Sequence, residues 1–355
     1  MRIRNATGWV FRPACQCFEH YAERWDAINR KGSHHILLDS IFVSALIRCF
    51  GSADILLGIA EDEARPGLIL VQKVRKSLWQ TFQPSQSPLG LMLLSNPAHT
   101  LGQMSQLMRC LPGCALGLSI LQQDPDFTPF SNVGEFEDAH AEVLPYMRTP
   151  RLRLTGTFED YWEERKNVLE AQHHLLQRQR RLVKQGIALA LVQYRDAPSM
   201  AACVREHGRL EETGWKGTAG TALTDKNQQG RFYQEVLERF CANKEGVVYQ
   251  LLFNKHIVAS ELAIERDGML VLLKTAYDEQ FRSCAPGFLM RLEILKSLFL
   301  EQRIRVVEFY GRQCDWHATW AAESRTMYHV NFYRHALIPT VRSILKCAAH
   351  LITLP

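Results

Sequence analysis

The sequence of 355 residues lacks a long apolar run, since no stretch approaches the roughly 18 uninterrupted apolar residues of a membrane-spanning helix. Residues 1–21, MRIRNATGWVFRPACQCFEHY, also lack the apolar core of a signal peptide, because Arg12 and Pro13 interrupt the one candidate. These absences predict a cytoplasmic protein without a transmembrane segment. The amphipathic C-terminal stretch HALIPTVRSILKCAAHLITLP favours a closing helix and leaves peripheral membrane contact open.

A strong charge of either sign is missing as well. The net charge of +5 and the pI near 8.7 permit anionic ligands such as phosphates but do not require them. No basic stripe interleaved with aromatic residues is present, so we expect no nucleic-acid partner.

Cysteine spacings typical of metal or redox sites are absent from the chain. Among its ten cysteines, Cys15 and Cys17 have one residue between them, and Cys110 and Cys114 have three. Neither pair has the two-residue spacing of a zinc knuckle or a redox motif. Without an export signal, the pattern predicts reduced thiols and no metal ion.

What the sequence does contain indicates two globular α+β domains. The length exceeds that of one ordinary core, and 46% hydrophobic residues are typical of globular proteins. Residues 1–148 predict two helices, a hairpin and short apolar strands, and the polar, poorly periodic segment before residue 149 suits a domain border. Both halves begin with helices that strand hairpins follow, which suits a duplicated unit.

Residues 149–355 have the clearer pattern. Thr157 and Asp160 form a capping-box-like start to a long helix that Gly186 ends. Turns at Asn254-Lys255 and Asp267-Gly268 separate three apolar strands and predict an antiparallel meander. A helix over 286–302, a strand RVVEFYG, a strand TMYHVNFYR and a final helix follow.

The stretch KTAYDEQFRSCAPGFLMRLEILKSLF, residues 274–299, changes from strand to helix in its middle. Pro286 suits a first helical turn, because its missing N–H has no helical acceptor to lose. The free N–H groups of that turn favour a bound anion, and Arg282 can add a charge-assisted hydrogen bond to a phosphate. The same residues also suit a plain loop that opens a helix without a ligand.

The order of elements and the stretch Arg282-Ser-Cys-Ala-Pro-Gly287 resemble the GNAT acyltransferase superfamily, whose Arg/Gln-x-x-Gly-x-Gly/Ala loop binds the pyrophosphate of acyl-coenzyme A. Arg282 and Gly287 match this pattern, while Ala285 replaces the middle glycine. The second half is similar to the CelD/BioF-like acetyltransferases, which are related to the FemAB aminoacyltransferases. The matching stretches are LEETGWKG, RFY, LLKTAYDEQF, APGFLM and VVEFYGRQCDWHATWA.

This resemblance implies a fold, a cosubstrate and the residues that bind it. The implied fold is α+β with tandem GNAT-like domains, each a mixed, mostly antiparallel sheet flanked by helices. Residues 1–148 would form a degenerate leading domain and residues 149–355 the acyltransferase domain. Acyl-CoA, in particular acetyl-CoA, is the implied cosubstrate, and no metal is implied. The cofactor-binding residues would be Lys274, Thr275, Ala276, Arg282, Ala285, Gly287 and Phe288.

GNAT-type chemistry implies direct transfer of the acyl group to an amine or hydroxyl. The site must then remove a proton from the acceptor and protonate the departing thiolate. Glu211 aligns with the family's glutamate and is the implied base, ahead of Glu212, although either also suits a solvated helix end. Tyr310 could protonate the thiolate, and His317 could serve as base if Glu211 does not. The implied acceptor-binding residues are Trp215, Lys216, Tyr277, Asp278 and Trp316.

Several of these residues also have purely structural interpretations. Trp215 and Tyr310 suit core packing, and Asp278 suits a turn cap. The family tends to have a Tyr-Lys pair after the last strand, where this chain has Trp316-His317. The acceptor is accordingly expected to differ from the usual one.

Three functions are therefore compared. The resemblance implies an acetyl- or other acyltransferase of the exopolysaccharide, cellulose or cell-envelope pathways, which acts on a sugar amine or hydroxyl. FemAB-like aminoacyl transfer from a charged tRNA is the first alternative, although the long basic helical hairpin of some FemAB members is missing. A non-catalytic scaffold that retains the fold is the second.

Overall fold

The computed structural model of the protein describes residues 8–95, 100–127, 140–165 and 170–335. Contacts between Cα atoms divide the chain into two compact units. Unit 1 contains residues 1–147 and 326–355, and unit 2 contains residues 148–325.

The elements follow one another along the chain with short connections. The first part contains β1 (Trp9–Pro13), α1 (Ala14–Lys31), α2 (Ser40–Phe50), β2 (Leu56–Ala60), β3 (Gly67–Arg75), β4 (Leu78–Thr81), β5 (Met92–Leu94), α3 (Thr100–Cys110), β6 (Gly117–Gln123) and β7 (Ala141–Arg153). The second part contains α4 (Phe158–Arg165), α5 (Glu170–Lys184), β8 (Leu189–Tyr194), α6 (Met200–Glu212), α7 (Trp215–Thr218), α8 (Gln228–Ala242), β9 (Gly246–Phe253), β10 (His256–Arg266), β11 (Met269–Tyr277), α9 (Pro286–Glu301), β12 (Val306–Glu308) and β13 (Glu323–Tyr333).

Unit 1 is built on a mixed sheet with the order β1-β2-β3-β4-β6-β13. Neighbouring strands are antiparallel except β4 and β6, which run parallel. β5 pairs with the first residues of β3. The core includes Trp79, Met104 and Phe332 from β4, α3 and β13.

Unit 2 contains the corresponding sheet, with the order β8-β9-β10-β11-β12 and the end of β7 beside β12. Only β11 and β12 run parallel within it. Side chains of α4, α5 and α9 share one apolar core with the strands. The predicted stripe of α9 is confirmed for Leu292, Leu295 and Phe299, which are buried.

The two units repeat one order of elements. Each begins with a strand, continues with helices and a three-stranded antiparallel meander, and ends with a helix and a strand parallel to the last meander strand. The helix before the parallel strand is α3 in unit 1 and α9 in unit 2. This confirms the predicted fold class, two α+β units with mostly antiparallel sheets flanked by helices.

The predicted domains, 1–148 and 149–355, share their first border with the contact-defined units to within one residue. The two divisions differ at the other end, because Thr326–Tyr333 groups with unit 1, where β13 pairs with β6. The final predicted helix lies outside the described residues.

The local patterns predicted most elements of both units. The Thr157 capping box is confirmed: Asp160 N–H donates to Thr157 Oγ1 at 3.1 Å, and Thr157 N–H donates to Asp160 Oδ2 at 3.2 Å. The long helix predicted after it corresponds to α4 and α5, and residues 166–169 between them lie outside the description. The sequence patterns did not predict β1, α3 or β7. Pro145 and Pro150 interrupt β7, and proline in a run argues against a strand.

The described helices include none that is both long and apolar enough to cross a membrane. The nine cysteines that the structure describes are free thiols.

A pair of truncations tests where the last strand belongs. We expect a chain that ends at Arg325 to aggregate, because β6 loses its antiparallel partner and exposes Leu118 and Ile120 at an unpaired edge. A chain that ends at His335 keeps β13 and is the matched control. Size-exclusion chromatography and thermal unfolding would separate the two. Identical behaviour would contradict the assignment of Thr326–Tyr333 to unit 1.

Candidate functional site

The candidate site of unit 2 lies where two parallel strands separate. β11 and β12 pair only over Met269–Val306, Leu270–Val307 and Val271–Glu308. On its other side β11 remains paired with β10 as far as Tyr277. The sheet therefore opens between residues 272–277 of β11 and the chain that follows Glu308. We call this opening the wedge.

A bulge in β11 directs the side chains beside the wedge. Leu262 of β10 pairs with Lys274, but the next residue, Ala263, pairs with Leu272, so Leu273 is the extra residue. Beyond the bulge, successive side chains point to opposite faces of the sheet. Lys274 faces α6, where it meets Glu211, and Thr275 faces α9.

A cleft of about 570 Å³ lies at this end of β11. Its walls come from the end of α6, from α7, from the end of β11 and from a 3-10 turn over Glu279–Cys284. Glu279 N–H donates to Thr213 Oγ1 at 3.0 Å, which fastens the turn to the end of α6. The lining residues are Leu210, Glu211, Thr213, Gly214, Lys216, Thr218, Thr275, Ala276, Tyr277, Glu279 and Arg282.

Glu211 is the central acid of this cleft. It lies in the last turn of α6, and its side chain is only 1% exposed. Its Oε1 accepts from Lys216 Nζ and lies 3.2 Å from Lys274 Nζ, while its Oε2 accepts from Leu223 N–H at 3.0 Å. The carboxylate is thus buried with two ammonium groups and a backbone donor, which compensates for the loss of hydration.

Lys274 is a partly desolvated cation. Burial lowers its pKa, and the nearby charge of Lys216 lowers it further, while Glu211 opposes both effects. Its Nζ lies 5.6 Å from the ring centroid of Tyr233, within the range of a cation–π contact. Burial, together with the charge of Glu211, raises the pKa of Tyr233, so that its phenol stays protonated.

His207 lies behind the acid, one helical turn before it on α6. The imidazole is fully buried, with Nδ1 3.1 Å from Ser260 Oγ and Nε2 3.8 Å from Glu211 Oε1. Burial holds its pKa well below the usual range, and Lys274 and Lys216 add to the effect. The ring is therefore neutral near pH 7. The sequence analysis missed this residue because an isolated histidine in a helix carries no signal.

The compact stretch GWKG is explained by a close backbone contact. A Cβ at Gly217 would lie 2.2 Å from the carbonyl oxygen of Glu212, so only glycine lets α7 pack against the end of α6. This packing brings Lys216 to Glu211. The side chain of Trp215, a predicted acceptor-binding residue, lies outside the described part of the structure.

The predicted anion site lies between the 3-10 turn and α9. Ala285 has φ +52° and ψ +55°, and it precedes Pro286, the first residue of α9. The N–H of Gly287 has no backbone acceptor among the described residues, and a Cβ there would meet only Tyr277 Cδ1, at 3.6 Å. The Phe288 N–H donates to Ala285 O at 3.0 Å. The prediction that this second amide is free is therefore wrong.

Two predicted polar residues beside this turn have different surroundings. Arg282 is exposed, with 79% of its side chain accessible, and its Nε lies 4.0 Å from Glu279 Oε2. Asp278 is buried, its Oδ1 accepts from Gln280 N–H at 3.0 Å, and its Oδ2 lies 3.1 Å from His256 Nε2. Because both oxygens are engaged, Asp278 caps the turn, and its predicted contact with substrate is corrected.

The residues after β12 lie on the other border of the wedge and do not line the cleft. Tyr310 is buried and has φ +45°, a conformation that is uncommon for a residue with a side chain. The Arg325 guanidinium lies 5.3 Å from its ring centroid. Trp316 is 40% exposed and stacks on His317 with centroids 3.6 Å apart.

His317 is a hydrogen-bond donor near neutral pH. The Cys314 N–H donates to its Nδ1 at 3.0 Å, so the neutral ring must carry its proton on Nε2. Burial lowers the pKa of His317 to about 4. The prediction that His317 could replace Glu211 as base is thereby corrected.

The corresponding corner of unit 1 is filled. β4 and β6 pair over three residue pairs, and Leu121 N–H then donates to Thr81 Oγ1 at 3.0 Å. Gly90 N–H donates to Gln122 O at 3.2 Å, and a Cβ at Gly90 would lie 2.0 Å from Leu121 O. The cavity beside Gly90 measures only about 10 Å³.

Comparison with known proteins identifies the family of the second unit. Residues 171–318 match the family model of the acetyltransferase (GNAT) domain. No curated protein matches the chain.

Three solved structures have a similar fold at low sequence identity. The C-terminal domain of a candidate lysylphosphatidylglycerol synthetase from Agrobacterium fabrum has a TM-score of 0.53 and 12% identity, over 92% of this chain and 96% of that one. FemX has a TM-score of 0.55 and 9% identity, over 88% and 96%. A conserved protein of unknown function from Bacteroides thetaiotaomicron has a TM-score of 0.56 and 7% identity, over 88% and 97%.

Replacement of Ala285 by glycine tests the strained turn before α9. We expect Ala285→Gly to raise the free energy of unfolding by about 0.5–1 kcal/mol, because glycine removes the Cβ penalty at positive φ and that gain exceeds its extra chain entropy. Ala259→Gly, in the buried part of β10, is the control and should lower stability. Thermal and denaturant unfolding measure both changes. A less stable Ala285→Gly protein would contradict the left-handed conformation.

Proposed function

We propose that this chain, which carries a GNAT domain at residues 171–318, is an acyl-CoA-dependent acyltransferase whose site is the cleft beside the wedge of unit 2. Acetyl-CoA is the donor that the family match favours. The observation that carries the proposal is the open end of β11. There the parting of β11 from β12, the free Gly287 N–H and a cleft of about 570 Å³ occur together.

The donor would bind with its phosphates at the start of α9. The Gly287 N–H and the positive end of the helix dipole favour an anion, and the mobile charge of Arg282 lies on the same rim. The acyl-bearing arm would follow β11 along Lys274, Thr275 and Ala276, where the strand has no neighbour on the wedge side. Ala285 and Phe288 shape this corner by holding the turn that presents Gly287.

The transfer step needs a proton acceptor beside the attacking atom. We assign this role to Glu211, which lines the cleft as a carboxylate held by Lys216 and Lys274. The acceptor nitrogen or oxygen attacks the thioester carbon and gives its proton to Glu211, and the carbon–sulfur bond then breaks. The departing thiolate takes a proton, for which Tyr310, beyond β12, is the proposed donor.

The acceptor would enter from the side of α7. Lys216 and Tyr277 line that part of the cleft and would contact it, together with Trp215. Trp316, with an exposed face, could meet a sugar ring. We propose an amine or hydroxyl of a saccharide or cell-envelope precursor as the acceptor, in line with the predicted CelD/BioF-like branch. Unit 1, with its filled corner, would be the degenerate leading domain.

Aminoacyl transfer from a charged tRNA is the alternative. FemX shares the fold, and the cations Lys216, Lys274 and Arg282 around the cleft suit a nucleotide phosphate as well as a coenzyme phosphate. A scaffold without catalysis is the remaining alternative. Ligand binding separates all three.

Calorimetry with acetyl-CoA tests the donor. Arg282→Ala combined with Gly287→Glu should raise the Kd more than about tenfold, a loss of about 1.4 kcal/mol, because it removes a cation and places a carboxylate at the anion site. Gly287→Ala is the control, since a Cβ fits there, and its Kd should remain near that of the unchanged protein. Binding of aminoacyl-tRNA without acetyl-CoA would support the alternative donor. Binding of neither would leave the scaffold.

Replacement of the proposed base tests the chemistry. Glu211→Gln should lower kcat by at least about 100-fold, the usual contribution of a general base, while the Kd for acetyl-CoA changes much less. Glu212→Gln alters the adjacent carboxylate and is the matched control. Steady-state kinetics with calorimetry and thermal unfolding distinguish lost catalysis from lost folding. An unchanged kcat would remove Glu211 as the base.

A further inference from the structure

A buried ion pair borders the wedge on the side of α9. Arg291 of α9 places Nη2 2.5 Å from Oε2 of Glu261, which lies on β10. Thr275 of β11 donates from Oγ1 to the same Oε2 at 2.8 Å, and Arg291 Nη2 donates to Thr275 Oγ1 at 3.3 Å. The side chains of Arg291 and Glu261 are 3% and 0% exposed. One guanidinium thus connects three elements.

The same guanidinium spans the wedge. Its central carbon lies 5.5 Å from the ring centroid of Phe309, the first residue after β12. Thr275, on the opposite border, lies where β11 no longer pairs with β12. Arg291 therefore occupies the place where backbone hydrogen bonds between the two strands have ended.

Stability alone does not explain this arrangement. Burial of two charges costs more than an ordinary pair regains, and well-packed apolar residues of similar volume are often as stable or more stable. The cost is evident here, because Arg291 Nη1 and Glu261 Oε1 are buried without a hydrogen-bond partner among the described residues. Burial also raises the pKa of Glu261, against the effect of Arg291. A charged group at this position suggests a geometric role.

We propose that Arg291 is a positioning residue, which holds the wedge open and fixes the first turn of α9 against the end of β11. Arg291 lies about one and a half turns after Pro286, so its bonds to Glu261 and Thr275 anchor the segment that presents the Gly287 N–H. The inference rests on the proposed function, because it assigns this segment to donor binding. Arg291 acts through that segment and does not itself contact the reacting atoms.

The test replaces the pair by apolar residues of similar size. We expect Arg291→Met combined with Glu261→Leu to melt at the same temperature as the unchanged protein or higher. Its KM and Kd for acetyl-CoA should rise at least about tenfold, and kcat should fall less. Arg291→Lys keeps the charge but cannot bridge Glu261 and Thr275 with a planar fork, so it should be intermediate. A merely structural role would instead lower the melting temperature and leave KM unchanged.

The matched control is Glu265→Gln. Glu265 lies on the same strand, is also buried and pairs with Arg195 and Arg303, but it lies opposite Leu270, where β11 and β12 are still paired. Its substitution should leave KM for acetyl-CoA within about twofold. An equal rise in KM for the control would overturn a role specific to Arg291.

Hydrogen exchange makes the test independent of the proposed function. If Arg291 positions the start of α9, amides of residues 285–290 should exchange at least about tenfold faster in the apolar double variant, while α8 keeps its protection. This result would support the inference even if the unchanged protein bound no acetyl-CoA, which would refute the proposed function alone. Unchanged exchange over residues 285–290 would overturn the inference.

Discussion

The parallel pairing of β11 with β12 stops after Val271 and Glu308, and the site of unit 2 depends on this separation. A strand in a sheet normally has its N–H and C=O groups satisfied on both sides, so the free side of β11 is a hydrogen-bonding edge inside the fold. The separation also provides room for a cleft between the end of α6 and the start of α9. Without it, the Gly287 N–H and the polar side chains of β11 would face packed strands.

Two polar groups use opposite faces of the same pair of strands. On the face toward α6, Glu211 gathers Lys216, Lys274 and the neutral His207. On the face toward α9, Arg291 gathers Glu261 and Thr275. The bulge at Leu273 sets this division, because it decides which face Lys274 and Thr275 occupy. The reacting groups and the groups that hold the strands are thereby adjacent in sequence but separated by the sheet.

Unit 1 shows that the order of elements does not by itself make a site. Its β4 and β6 also run parallel for three residue pairs, yet backbone hydrogen bonds from Leu121 and Gly90 close the corner beyond them. The difference lies in the chain after the third meander strand. In unit 1 a loop folds back into the opening, whereas in unit 2 a capped 3-10 turn leads directly to a helix.

The sequence by itself determined the local elements and the residue types of the site. Hairpin dipeptides, the Thr157 cap, Pro286 and the alternation of apolar residues act over a few positions, so the meander of unit 2 and α9 could be predicted. Tertiary structure alone decided which residues meet. The contacts of Glu211 with Lys274 and of Glu261 with Arg291 join positions at least 30 residues apart. The same holds for Thr326–Tyr333, which completes the sheet of unit 1, and for the hydrogen bond that makes His317 a donor. Such contacts depend on strand register and burial, which no short pattern contains.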